Sequence, residues 1–122
     1  MNEGCLFCEH EKFEIIIENG LSFAIRDKYP VTDLHTLILS KKHYETVFDL
    51  PTNELVSIFE LAKQCRNEIL KNDHSVKGFN FGSNSGDAAG QKIGHVHFHL
   101  IPRREGDVGP LAAVQNKEIK NT

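Results

Sequence analysis

The sequence predicts an α+β domain, a largely antiparallel sheet carrying one long helix. Three observations lead there. Two β-branched runs flank Asn19-Gly20, the stretch 53–72 has helical apolar spacing, and residues 95–101 alternate strictly between polar and apolar. With 122 residues the chain makes one ordinary domain, large enough to bury a core without disulfides.

Phe13 to Glu18 (FEIIIE) reads as the first strand. Asn19-Gly20 is a turn signal, and Ser22 to Asp27 (SFAIRD) resumes the strand pattern, so the two form a hairpin. Pro30 breaks the chain, and Thr36 to Leu39 (TLIL) is a continuous apolar run suited to a central strand. Thr52, after Pro51, is the expected N-cap of the helix. Leu55, Ile58, Phe59, Ala62, Cys65 and Ile69 mark its apolar face over Asn53–Asn72, where Cys65 packs as a small hydrophobe. Gly78 to Asn84 is a further strand, and the glycine-rich Ser85 to Gly94 is a loop. His95 to Ile101 (HVHFHLI) is a strand that Pro102 should end. Residues 1–110 form the expected domain and 111–122 a polar tail.

Fourteen basic against 17 acidic residues give a net charge of -3, which argues against a nucleic-acid binder. No apolar run reaches the length of a membrane span, and the first residues carry no signal-peptide pattern, so the expected location is the cytoplasm. Three cysteines, two of them in Cys5-x-x-Cys8, favour metal or redox chemistry over a disulfide framework. By itself the pair is half of a tetrahedral site, or a dithiol lacking the usual strand-then-helix context.

His95, His97 and His99 share one face of their strand, while Val96, Phe98 and Leu100 face the core. Seven histidines in a chain of this length would give H-x-H-x-H by chance only roughly 0.02 times. Such a row binds metal or supplies a nucleophile and acid–base groups near neutral pH. Gly82, Gly86 and Gly90 bracket the preceding loop, where converging backbone N–H groups suit a phosphate. Loop and row together suit in-line attack on phosphorus, followed by hydrolysis of a nucleotidyl-histidine.

HVHFHLI fits the histidine-triad (HIT) pattern, and AGQKIGHVHFHLIPR, FAIRDKYPV, HTLILSKKH and GFNFGSN occur in that family's order. The chain therefore resembles the HIT family from about Cys5 to Pro110. The resemblance implies a HIT-like fold with a short helix beside the long one. It implies a homodimer acting on a purine nucleotide: hydrolysis of dinucleoside polyphosphates or nucleoside phosphoramidates. His97 becomes the nucleophile, His99 contacts the phosphate, and His35 lies near it. Asp27 takes the ribose hydroxyls, and Asn84, Gly90, Gln91 and Lys92 belong to the phosphate loop and leaving-group side. Phe23 and Ile25 line the base pocket. In similar zinc-binding members the Cys-x-x-Cys pair is joined by two histidines, here His43 and His95, in a structural zinc site with Cys5 and Cys8. His10 and His74 are left as surface groups.

The chain departs from the pattern at Leu34, where glycine is common, and at Lys92, where a hydroxyl is usual. It departs again at Leu111-Ala112-Ala113-Val114 in the tail. Two other readings stay open: a nucleotide-binding regulatory module with little turnover, and a zinc protein whose three triad histidines share one metal.

Overall fold

The computed structural model describes residues 5–9 and 12–107, so the expected tail and His10 lie outside the described residues. The strands are β1 (Ile17–Glu18), β2 (Ser22–Arg26), β3 (Thr36–Ser40), β4 (Val76–Gly82) and β5 (His97–Arg104), and the helix α1 spans Thr52–Asn72. They form one five-stranded sheet in the order β1-β2-β3-β5-β4, with every pairing antiparallel. This is the expected α+β architecture. Among the described residues, the expected short helix is present only as three-residue 3-10 turns such as Leu6–Cys8, Val47–Asp49 and Asp87–Ala89. No helix among the described residues is long and apolar enough to cross a membrane.

The Asn19-Gly20 hairpin forms as expected, with Glu18 opposite Phe23. Its clasp is the Asn19 side chain, whose Oδ1 accepts from the N–H groups of Leu21 and Ser22 at 3.1 and 2.9 Å. The first strand is much shorter than FEIIIE suggests. Phe13 and Ile15 leave the ladder and pack on an apolar cluster instead. Thr52 is the first helical residue rather than the cap, and the capping position falls on Pro51, which has no side-chain donor or acceptor.

Pro102 does not end β5, which runs on to Arg104. The β3 pairing stops at Leu100 opposite Thr36, so beyond it β5 has an open side. The Pro102 carbonyl faces that side, where it accepts from the Thr32 hydroxyl at 2.6 Å. The missing N–H therefore falls where no ladder bond is needed.

The two sheet faces differ as the alternation requires. Ala24, Ile38 and Phe98 lie in one cross-strand row and pack with Val96 and Leu100 against Ile58, Leu61, Ala62, Cys65 and Ile69 of α1. On the other face, Phe23–Leu39–His97 and Ile25–Leu37–His99 form adjacent rows. Phe7, Phe13 and Ile15 from the N-terminal segment cover part of that face. A large apolar floor thus holds the histidines in fixed rotamers.

Candidate active site and metal centre

His95, His97 and His99 are all buried, but their rings do not converge on one point. The His97 Nδ1 lies 2.8 Å from the His95 carbonyl. Only a protonated nitrogen can bond a carbonyl, so Nδ1 carries the proton and the lone pair sits on Nε2. The Ser83 hydroxyl donates to the His97 carbonyl at 2.7 Å and ties the strand to the loop side of β4.

The His35 Nδ1 accepts from the Val31 N–H at 3.0 Å. Its proton is therefore on Nε2, which lies 3.0 Å from the His99 Nδ1 and 3.4 Å from the Asp27 Oδ2. Burial, and next the Arg103 guanidinium, lowers the His35 pKa to about 4. Burial, followed by His97 and His35, lowers that of His99 to about 3. Both rings are neutral near pH 7, so His99 accepts at Nδ1 and presents an N–H at Nε2. Asp27, His35 and His99 bring three ligand-type atoms within 4.8 Å of one another. The Val31 N–H occupies the His35 lone pair, so this cluster is built as a chain of hydrogen bonds, not as a cation cage. Asp27 is buried, its Oδ1 accepts from the Tyr29 N–H at 2.9 Å, and burial raises its pKa.

The glycine-rich loop takes its shape from two left-handed positions, Gly86 at φ 93° and Gly90 at φ 97°. Gln91 braces it from inside: its Oε1 accepts from the Gly86 N–H at 2.8 Å, while its Nε2 donates to the carbonyls of Glu45 and Ile93 at 2.7 and 3.0 Å. The Gln91 amide thus holds the loop. Asn84 flanks Gly90, where an added Cβ would sit 3.6 Å from its Nδ2. Lys92 is exposed, as is His74. Phe23 is fully buried and Ile25 nearly so. Ile25 also borders an open cleft of about 540 Å³ lined by Phe13, Glu14, Ile15 and Arg26.

Cys5, Cys8, His43 and His95 form a second cluster, again with ligand atoms within 4.8 Å of one another. The Sγ–Nδ1 separations are 3.3 Å for Cys5–His95, 3.2 Å for Cys8–His43 and 3.5 Å for Cys8–His95. A tetrahedral zinc with two sulfur and two nitrogen ligands requires S···N edges of roughly 3.5 Å. The His95 Nε2 donates to the Ser40 carbonyl at 2.9 Å, which leaves the Nδ1 lone pair aimed at the sulfurs. Burial, followed by the Cys5 thiol, pushes Cys8 up to about 11, so a cation is what would hold this sulfur as thiolate. The donor set fits zinc. His95 faces the cysteines, His97 its carbonyl and His99 the His35 ring, which disfavours one metal shared by all three.

Sequence reasoning missed Phe7. It sits between the two cysteines and is buried edge-on to His97, with ring centroids 5.2 Å apart at 70°. An apolar residue inside a polar ligand pair is a signal that could have flagged it. The Val31 N–H, Ser40 carbonyl and Glu45 carbonyl were also missed, because backbone groups leave no trace in sequence. Leu34 adopts φ 72°, the conformation that glycine would take there.

The HIT domain pattern matches residues 9–106 of the chain. An uncharacterised HIT-like protein of Methanocaldococcus jannaschii is 39% identical, covering 96% of this chain and 90% of its own length. The adenosine 5'-monophosphoramidase of Saccharomyces cerevisiae is 34% identical, covering 89% of this chain and 68% of its own. The crystal structure of a HIT family protein from Bacillus anthracis superposes with a TM-score of 0.80 at 32% identity, covering 88% of this chain and 80% of that one. With four-fifths of its length matched to the domain, and with these relatives, the chain belongs to the HIT domain family.

Proposed function

We propose that this protein is a nucleotide hydrolase that releases a nucleoside monophosphate through a nucleotidyl intermediate on His97. The observation that carries the reading is the 2.8 Å bond from the His97 Nδ1 to the His95 carbonyl, which puts the proton on Nδ1 and the lone pair on Nε2. In the first step Nε2 forms a bond to phosphorus as the bond to the leaving group breaks. In the second, water displaces Nε2 and the monophosphate departs. The His99 Nε2–H donates to a phosphoryl oxygen, and His35 acts through His99. The N–H groups of Gly86, Ala89, Gly90 and Gln91 donate within the loop, so the Asn84 side chain beside Gly90 is what holds a further phosphoryl oxygen. Asp27 takes the ribose, and the cleft bordered by Ile25 and Ile15 takes a purine.

The proposed substrates are dinucleoside polyphosphates or nucleoside phosphoramidates. The yeast relative's name supports phosphoramidates at the level of the family. Cys5, Cys8, His43 and His95 would hold about one zinc per chain, which would tie the N-terminal turn to the segments just after β3 and just before β5 and does no phosphoryl chemistry. Elemental analysis of purified protein tests that part.

A second copy of the chain completes the reading. Among the described residues β4 is paired on one side only, and Phe81 and Phe59 lie exposed beside it with ring centroids 6.4 Å apart. Leu55 and Val56 extend the exposed apolar patch, which suits a homodimer.

The decisive experiment quenches a reaction with adenosine 5'-phosphoramidate or a diadenosine polyphosphate in mild alkali and measures intact mass. Wild type should gain one nucleoside monophosphoryl group. His97→Ala should gain none and lose most turnover while still binding nucleoside monophosphate. Undiminished turnover in His97→Ala would overturn the assignment.

A further inference from the structure

Phe7 links the two clusters. It lies in the middle of the Leu6–Cys8 turn, buried on the floor made by Phe23, Ile25, Leu37 and Leu39. Its ring meets His97 edge-to-face and also stands at 90° to His95, with centroids 6.0 Å apart. The turn belongs to no strand, and its backbone bonds run within it, from the Cys8 N–H to the Cys5 carbonyl and from the Glu9 N–H to the Leu6 carbonyl. The thiols reach outward from it to His43 and His95. Two supports of the His97 ring therefore pass through the metal-ligand cluster: the Phe7 edge, and the carbonyl of His95, itself a ligand-type residue. Both cysteines are partly exposed, within reach of a small oxidant, and their sulfurs lie no more than 4.8 Å apart.

We propose that the Cys5–Cys8 pair is a redox switch on the His97 nucleophile, thrown by peroxide. The proposal rests on the zinc and His97 assignments above. One thiolate attacks the peroxide, its O–O bond breaks, and a sulfenic acid forms as hydroxide leaves. The second thiolate then attacks that sulfur and expels a second hydroxide, closing the disulfide. The pair has lost two electrons and the peroxide has gained them. The cation, still divalent, has lost both sulfur ligands and departs. A disulfide brings the sulfurs to about 2.05 Å, far closer than two ligands of one cation. The turn must tighten, and Phe7 lies inside it, so the ring is drawn off the His97 edge. The imidazole then samples orientations in which Nε2 no longer faces phosphorus. A thiol reductant with zinc reverses the sequence.

The test uses the full chain, zinc-loaded, carrying Cys65→Ala so that the pair holds the remaining thiols. Cys65 packs in the core on the opposite sheet face, away from the site. The protein is treated with hydrogen peroxide and desalted. Zinc release, intact and peptide mass, circular dichroism, kcat and KM for a phosphoramidate, and the His97 ring 15N shifts are then measured. The expected result is a loss of 2 Da mapped to Cys5–Cys8, release of the zinc and an unchanged far-UV spectrum. With these, kcat should fall about 10- to 100-fold while KM changes less than about threefold. The His97 15N shifts should move from a single Nδ1–H tautomer towards an average, and dithiothreitol with zinc should restore all of these. Phe7→Leu should keep the zinc yet lower kcat. A disulfide formed with zinc released and kcat unchanged overturns the proposal, as do oxidation to sulfinic acid without a disulfide, unfolding on oxidation, or full kcat in Phe7→Leu. If the reduced, zinc-loaded protein has no His97-dependent turnover, the hydrolase reading fails instead. Zinc release and the 15N shifts still report on the switch in that case.

Discussion

The Nε2 of His35 stands 3.0 Å from the Nδ1 of His99, and both rings are buried. The Val31 N–H fixes the direction of this bond by taking the other nitrogen of His35. His35 therefore donates, and His99 carries its own N–H on Nε2, the group that meets the phosphoryl oxygen in the proposed reaction. His35 is in this view a positioning residue.

Its donor role separates two substitutions of similar size. His35→Gln keeps an N–H within reach of the His99 Nδ1, whereas His35→Leu removes it. We expect His35→Leu to lower kcat by about tenfold or more with a smaller change in KM. His35→Gln should recover a good part of that. The 15N spectrum of His99 should keep its Nε2–H tautomer in the Gln variant and lose it in the Leu variant. Equal activities for the two variants would show that the donor is irrelevant.

The same burial makes the fold sensitive to acid. The His35 and His99 pKa values lie at about 4 and about 3 in the fold, below the 6.5 of an exposed histidine. The neutral rings contribute their full stability above about pH 6.5, and that contribution is lost as pH falls through 4 towards 3. The loss is on the order of a few kcal/mol. The comparison is with His35→Gln, which lacks one of the two groups. Denaturant midpoints at pH 7 and 4.5 should differ less in the variant than in wild type. Parallel pH slopes would remove the buried histidines as the cause.

Lys92 stands exposed at the end of the glycine-rich loop, on the leaving-group side of the proposed reaction. A departing nucleoside polyphosphate carries several negative charges, whereas a departing amine carries none. A nearby ammonium should favour the former. Lys92→Ser is expected to lower the ratio of kcat/KM for dinucleoside polyphosphates over phosphoramidates, by about threefold to tenfold, and added salt should do the same to wild type. An unchanged ratio means that the lysine only faces solvent.

Leu34 holds a left-handed backbone at φ 72° while its half-buried side chain packs on the helix-side core. A β-branched residue tolerates that conformation worst, and asparagine tolerates it well. Leu34→Val should therefore destabilise the protein by about 1–3 kcal/mol and do so more than Leu34→Asn, although valine is the closer apolar match. Urea unfolding of the two variants decides it, and a more stable valine variant would dismiss the strain.

Local pattern carries the architecture of this protein. The Asn19-Gly20 hairpin, the Ile58, Ala62, Cys65 and Ile69 stripe of α1, the central strand over Thr36–Leu39 and the shared face of His97 and His99 were all legible, because periods of 2 and 3.6 are written into neighbouring residues, whereas His95 lies before β5 and Leu55 and Phe59 of the expected stripe are exposed. The triad and its neighbouring segments also sufficed to identify the family. What the chain order does not contain is which nitrogen of each histidine holds its proton. That depends on the Val31 N–H and on the carbonyls of His95 and Ser40, groups every residue possesses. Nor does it contain the continuation of β5 through Pro102, which required knowing where β3 stops. Gln91 read as part of the phosphate loop, and what the loop sequence does not contain is that its amide braces the loop against the Glu45 carbonyl, 46 residues away. Phe7 reached His97 only when the N-terminal turn folded onto the sheet. Side-chain type and spacing determine which groups are available, but their protonation and aim are set by backbone atoms brought from distant segments, and only tertiary packing decides which atoms those are.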